Sequence, residues 1–179
     1  MKNKLLLIIS TMLLFACKEP HARRPVSQKT ATILSETLQQ NKALIKQENL
    51  IIQQQIAKDS IHKYINSANG FWYAYLIKIE DSNAATPKIG DVVEFAYNIT
   101  DLYGAVIYSK NELGIKKYTI DKEDFIPALQ EGIKLMKVGE TITFVIPSYR
   151  AFGLVGDEHK IGINQTLKST VTLLNLNQK

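Results

Sequence analysis

The sequence predicts an α+β chain: a long N-terminal helix, then an antiparallel sheet packed on one short helix. Three observations predict it. Residues 27–67 contain neither proline nor glycine. From Phe71 onward, short runs of aromatic and β-branched residues alternate with turn residues, the pattern of successive strands. In that part only Asp124 to Glu131 carries helical apolar spacing, at Phe125, Ile126 and Leu129. The chain divides accordingly into residues 1–16 (a signal peptide), 17–26 (a tether), 27–69 (a helical extension) and 70–179 (the globular domain).

Composition fits one globular domain with an appendage: 179 residues, 45% hydrophobic and 22% charged. Eight Tyr, six Phe and one Trp supply enough bulk for a core. A single cysteine, Cys17, excludes an internal disulfide. The formal charge is +5, and without Lys2 and Lys4 the balance is 20 basic to 17 acidic residues. The basic residues are scattered, with only Arg23-Arg24 and Lys116-Lys117 adjacent. This reads as a solvated surface and not as a nucleic-acid footprint.

Lys2 and Lys4 precede a short apolar run from Leu5 to Phe15. A basic end before such a run is a secretory signal, too short to span a bilayer well. The run closes Leu14-Phe15-Ala16-Cys17, which resembles the lipobox of bacterial lipoproteins. The resemblance implies cleavage after Ala16 and lipid attached at Cys17; a plain signal peptide with an incidental cysteine is the alternative. Several acyl chains would anchor the protein stably where one would not. Pro20, His21, Arg23-Arg24 and Pro25 follow without periodicity, as in an extended tether.

From Ser27 to Ser67 good helix formers dominate. Leu34, Leu38, Ile45, Ile52 and Ile56 are spaced by fours and sevens, one helical stripe. Leu44, Leu50, Ile51, Ile61, Tyr64 and Ile65 widen it. Ser27 is expected to cap the helix and Asn69-Gly70 to stop it. The stripe must pack on something: its own domain, a second copy in a homodimer through residues 27–69, or a client.

In the domain, Phe71 to Ile79 reads as a strand. Ile89-Gly90-Asp91 turns into a second strand, Val92 to Thr100. Asp101-Leu102-Tyr103-Gly104 closes a hairpin onto Ala105 to Ser109. Tyr118-Thr119-Ile120 is a short strand. Gly132 stands where a glycine would end the short helix. Lys137-Val138-Gly139-Glu140 is a turn, with Lys134, Lys137 and Glu140 expected as surface charge. Thr141 to Ile146 is a strand, Ser148 to Gly162 a loop, and Thr166 to Asn175 the last strand.

The order Gly-Asp, strand, tyrosine, hairpin glycine, apolar helix with a following glycine, Val-Gly-Glu, strand, Pro-Ser-Tyr and a Phe-Gly loop is similar to the FKBP-type peptidyl-prolyl cis–trans isomerases, over roughly residues 70–177. The resemblance implies a curved antiparallel sheet, a half-barrel, wrapped around one short helix with the site between them. With the lipobox and helical extension, the layout most resembles the FKBP-type lipoproteins associated with gliding motility.

By this resemblance Tyr97, Phe125, Ile126, Leu129 and Phe152 are the catalytic positions, with Ile126 supplying a backbone donor and Leu129 the floor. Ile107, Tyr108, Tyr118 and Ile161 complete the substrate-binding surface. Several positions depart from the family's usual residues. Leu129 stands for tryptophan, and Phe152 stands for tyrosine in the loop. Ile107-Tyr108 replaces an aromatic followed by aspartate. Pro127 replaces a more flexible residue, and Ser169 stands where an aromatic is common. Changing an X-Pro isomer means crossing ~18–20 kcal/mol. A dry aromatic pocket that binds the twisted amide lowers that barrier without a nucleophile. No cofactor and no metal is called for. His21, His62 and His159 are dispersed, without metal-ligand spacing. No nucleophile elbow or phosphate loop is present.

The expected function is a lipid-anchored prolyl isomerase assisting the folding of exported envelope proteins, gliding components among them. A weak or inactive FKBP-like chaperone or binding module of an envelope assembly is the alternative. The expected partners are proline-containing exported polypeptides, a membrane reached through Cys17, and a second copy, but no nucleic acid. The expected location faces the periplasm, at the outer membrane in preference to the inner.

Overall fold

The computed structural model describes residues 28–179, with side chains from residue 34. The signal peptide, Cys17, His21 and the tether lie outside the described residues. The chain divides into two compact units after Gln39. The described part of the first is helical, and its Leu34 and Leu38 are exposed.

Helix α1 (Gln28–Ala57) is 30 residues long. It stops ten residues earlier than the absence of proline and glycine suggested. Asp59 supplies the reason. Its carboxylate accepts from the backbone N–H groups of Ile61 and His62, both at 3.2 Å, and from the His62 ring. A short acidic side chain that satisfies the next two amides competes with another helical turn. Ile61, Tyr64 and Ile65 therefore leave the helix. Ile65–Asn66 becomes strand β1.

The strands that follow are β2 (Trp72–Ile77), β3 (Val92–Tyr97), β4 (Ile99–Asp101), β5 (Val106–Tyr108), β6 (Ile115–Thr119), β7 (Thr141–Ile146) and β8 (Leu167–Asn177). They form one antiparallel sheet in the order β1-β2-β7-β8-β3-β6. β4 extends β3 along β8 and pairs with β5. The eleven residues of β8 run between β7 on one side and β3 with β4 on the other. A bulge in β8 opposite Glu94 and Phe95 bends this centre, as bulges do.

Two carboxylates hold the tight turns. In Lys88-Ile-Gly-Asp91 the side chain of Asp91 accepts from its own turn at Lys88 N (2.9 Å) and from Lys179 N (3.0 Å). In Lys137-Val-Gly-Glu140 the side chain of Glu140 accepts from Lys137 N (2.8 Å) and Ile79 N (3.0 Å). Glu140 was expected at the surface, yet it is buried. Two backbone donors replace the water it loses.

Helices α2 (Lys110–Leu113) and α3 (Pro127–Ile133) are short. Pro127 opens α3, where its missing N–H costs nothing. Ala128, Leu129, Gly132 and Ile133 face the sheet. Gly132 is not a cap: it lies inside the helix, and the C-cap is Lys134. A β-carbon at Gly132 would stand 2.5 Å from the Phe144 ring. Glycine is needed there so that α3 can approach β7.

The main core gathers Phe71, Val93, Phe95, Ile142, Phe144, Ile146, Val171 and Leu173 with the inner side of α3. A smaller cluster on the other face of the sheet joins Ile52 of α1 to Trp72, Leu102 and Val145. All six residues of β7 are buried because both of its faces are covered.

Candidate functional site

Alternation along β3 points Val93, Phe95 and Tyr97 to the same inner face. The segment entering α3 brings Phe125 against them. Ring centroids lie 5.4 Å apart for Phe95 and Tyr97, 5.7 Å for Phe95 and Phe125, and 5.5 Å for Tyr97 and Phe125. The last pair meets edge to face at 84°. Tyr118 of β6 adds a fourth ring, 5.8 Å from Phe125. These separations are those of attractive aromatic pairs. Lys116 Nζ stands 5.1 Å from the Phe125 ring centroid.

Leu129 and Tyr118 are fully buried, and Tyr97, Ile126 and Ile161 nearly so. Phe125, Ile107, Tyr108 and Phe152 are half-buried on the same cluster. All nine positions singled out in the sequence thus belong to one apolar body, with four of them at its surface. Ile126 precedes α3, and its carbonyl accepts from Leu129 N (2.8 Å) and Gln130 N (3.0 Å). No acceptor among the described residues takes the Ile126 N–H.

One wall is made by β5 and the long loop before β8. Tyr108 donates its hydroxyl to Asp157 at 2.5 Å. The other Asp157 oxygen accepts from Ile161 N (2.7 Å) and His159 N (2.9 Å). Lys160 Nζ covers the Tyr108 ring at 4.7 Å and pairs with Glu112. The aspartate missing from the hairpin is therefore present in the loop, and the hydroxyl missing from Phe152 is present on the hairpin. Partial burial pushes the Asp157 carboxyl up, but the Tyr108 hydroxyl and the backbone donors outweigh it and hold the group below its ordinary range. The same hydrogen bond raises Tyr108. Burial alone raises Tyr97, and burial is also the main cause at Tyr118.

Ser169, small where an aromatic was expected, is buried and donates to the Asn98 carbonyl at 2.7 Å. Asn98 Oδ1 accepts from Thr170 N at 2.8 Å. Together they fix the break between β3 and β4. Among the described residues no group of three His, Cys, Asp or Glu is placed to hold a metal ion. No described helix is long and apolar enough to cross a membrane.

Two residues of this neighbourhood escaped the sequence reading. Phe95 was legible, since it lies two positions before Tyr97 on a strand. Asp157 was not, because its partner Tyr108 is 49 residues away. A separate groove of about 410 Å³ lies between α1 and the loop, lined in part by Leu44, Glu48, Ile51, Ser148 and Leu154. It shares no residue with the nine.

Residues 83–174 match the model of the FKBP-type peptidyl-prolyl cis–trans isomerases. A relative from Neisseria meningitidis serogroup B, named as a probable FKBP-type peptidyl-prolyl cis–trans isomerase FkpA, is 30% identical over 125 residues. That match covers 70% of this chain and 43% of the relative, so the chain spans less than half the length of that curated protein. Among solved structures, a peptidyl-prolyl cis–trans isomerase from Pseudomonas syringae pv. tomato aligns with a TM-score of 0.61 at 21% identity, covering 76% of this chain and 96% of that one. FkpA from Escherichia coli aligns with a TM-score of 0.59 at 24% identity, covering 97% and 82%. The two structures share the fold, and the family model spans about half of the chain. The chain belongs to the FKBP-type peptidyl-prolyl cis–trans isomerase family.

Proposed function

We propose that this chain isomerises X-Pro bonds in extended or partly folded polypeptides. The observation that carries the reading is the cluster of Tyr97, Phe125, Phe95 and Tyr118 beside the unpaired Ile126 N–H. A proline ring seated on Phe125 would lie in apolar surroundings where a planar, charge-separated amide is disfavoured. The twisted amide has lost its resonance and is the less polar species, so desolvation favours it. The Ile126 N–H can hold the neighbouring carbonyl while the bond turns. Uncatalysed exchange takes tens of seconds. Each tenfold acceleration asks for ~1.4 kcal/mol of differential binding.

The test is protease-coupled isomerisation of a short Phe-Pro peptide. Wild-type acceleration that collapses in Tyr97→Ala or Phe125→Ala supports the reading. A folded wild type without acceleration overturns it.

A second reading is a groove that binds proline segments without turning them over. It is favoured by Phe152 lacking a hydroxyl and by the Tyr108 hydroxyl being committed to Asp157. A proline peptide that binds, measured by calorimetry, without turnover would select it.

The setting we propose is a lipid anchor at Cys17 and exported envelope proteins as clients, gliding components included. It is supported by Leu14-Phe15-Ala16-Cys17 and by the layout of the chain. Metabolic labelling with a palmitate analogue, lost in Cys17→Ser, tests the anchor. A homodimer through α1 is supported by the exposure of Leu34, Leu38, Leu44, Ile45 and Ile51. Light scattering of the chain with Leu38, Ile45 and Ile51 made polar tests it, and an unchanged mass rejects it.

A further inference from the structure

Among the described residues, the hydrogen bonds from helix α1 to the loop that carries Phe152 and Ile161 converge on one carboxylate. Glu48 Oε1 accepts from Ser148 N at 2.6 Å and from Thr166 Oγ1 at 2.5 Å, and Oε2 accepts from Ser148 Oγ at 2.9 Å. Ser148 and Thr166 are the two ends of the loop, which leaves β7 and returns to β8. One side chain from 100 residues upstream therefore ties both feet of the segment.

The ties continue inward. Gly153 N donates to Ser148 O at 2.9 Å, and Asn164 N donates to Gly153 O at 2.7 Å. Asp157 N donates to Ile161 O at 3.1 Å, and Asp157 takes the Tyr108 hydroxyl. Gly156, at φ +76°, lies so close to the Ile161 carbonyl that a β-carbon would come within 2.4 Å of it. A loop of this length with little regular structure needs such pins to keep one conformation. Its regular structure is the opening 3₁₀ turn at Ser148–Arg150; beyond it, these hydrogen bonds and the packing of Phe152 and Ile161 on the core hold the loop.

We propose that Glu48 is a positioning residue for the prolyl site: it fixes the feet of the 148–166 loop and so sets where Phe152 and Ile161 stand against Tyr97 and Phe125. This rests on reading the aromatic cluster as the prolyl site. Three features separate the clasp from mere docking of the helix. The helix is already seated by Ile52, which is fully buried against Trp72, Leu102 and Val145. All three donors to Glu48 belong to the loop's ends and none to the rest of the domain. They are uncharged, so the carboxylate is there to accept directed hydrogen bonds, which are shorter and stronger to an ionised acceptor.

The experiment uses the full chain as wild type, Glu48→Ala, Glu48→Gln and Ile52→Val. Two readouts are taken: amide hydrogen exchange at Gly153, Asn164 and Ile161, and kcat and KM on a Phe-Pro peptide. Glu48→Ala is expected to lower loop protection, and to lower kcat/KM about tenfold with KM rising, since displaced walls lose substrate contacts at a distance from the change. Glu48→Gln keeps an oxygen acceptor and is expected to recover most of both. Ile52→Val loosens the helix seat and is expected to lower the melting temperature while leaving loop exchange and kcat/KM at wild-type values.

Loop protection or kcat/KM unchanged in Glu48→Ala overturns the proposal. So does an Ile52→Val chain that reproduces both losses. If the wild type shows no turnover, the isomerase reading fails by itself, and the affinity of the same peptide replaces kcat/KM as the second readout for Glu48.

Discussion

The two faces of the sheet differ in what their neighbours do. On the inner face, Phe71, Phe95, Tyr97 and Phe144 join α3 in one large cluster. On the outer face, Trp72 and Val145 meet Ile52, and beyond them threonines pair across β7 and β8. Thr141 with Thr172 and Thr143 with Thr170 sit directly opposite one another in register. The outer face is thus closed by one helix and by hydroxyl pairs that satisfy each other. The inner face buries more than a helix of seven residues can cover, and Phe125, Ile107, Tyr108 and Phe152 stay half-exposed at its rim. This open apolar surface on a face already rich in rings is what the proposed prolyl site rests on.

The largest effect should fall on activity at the inner face. Tyr97→Ala is expected to reduce turnover of a Phe-Pro peptide by about a hundredfold or more, since the cluster loses the ring that meets both Phe95 and Phe125. Tyr97→Phe keeps the ring and is expected within a few-fold of wild type; a collapse there would assign the hydroxyl a role in the reaction.

Stability should separate the faces next. Phe144→Ala is expected to cost about 3–5 kcal/mol in urea unfolding, and Ile52→Ala about 2–5 kcal/mol. Both should give a single transition if the seat of α1 unfolds together with the sheet. A separate early transition in Ile52→Ala would show that the outer face is an independent layer.

Acid tests the end of α1. The hydrogen bond with the His62 ring, with help from the backbone N–H groups of His62 and Ile61, lowers the Asp59 pKa from 3.8 to about 2. The folded state therefore favours the carboxylate. Its contribution is complete above pH 3.8 and is lost as pH falls toward about 2. Asp59→Asn should flatten that part of an acid unfolding curve. An unchanged curve would remove Asp59 as the reason the helix ends where it does.

The smallest effect is expected for the threonine pairs. Removing one partner, as in Thr143→Val, should cost about 1 kcal/mol, while Thr143→Val with Thr170→Val should return close to wild type. A double variant worse than either single would mean the pair does more than satisfy itself.

What was legible followed from local pattern. Thr141 to Ile146 was bounded correctly because proline and glycine punctuate it, and the period of two placed Tyr97 inward. The same logic failed where distant residues decide. Gly132 looked like a cap from its neighbours in sequence, but the Phe144 ring requires it. Glu140 looked like surface charge beside two lysines, but Ile79, 61 residues away, completes its hydrogen bonds. The end of α1 was hidden because aspartate at residue 59 breaks a helix by hydrogen bonding and not by the shape of its backbone. The nine candidate positions were proposed from likeness of order, whereas Asp157 and Glu48 hydrogen-bond to partners far along the chain and carry no local signature.

The position of β8 has a further consequence for how the molecule assembles. It is the last of the described strands in sequence and lies between β7 and β3 in the sheet. Until residues 167–177 emerge from whatever synthesises or translocates the chain, β7 and β3 have no common neighbour and the sheet stays in two halves. Pairing of this kind, deferred to late-arriving residues, makes folding slow and leaves strand edges open meanwhile.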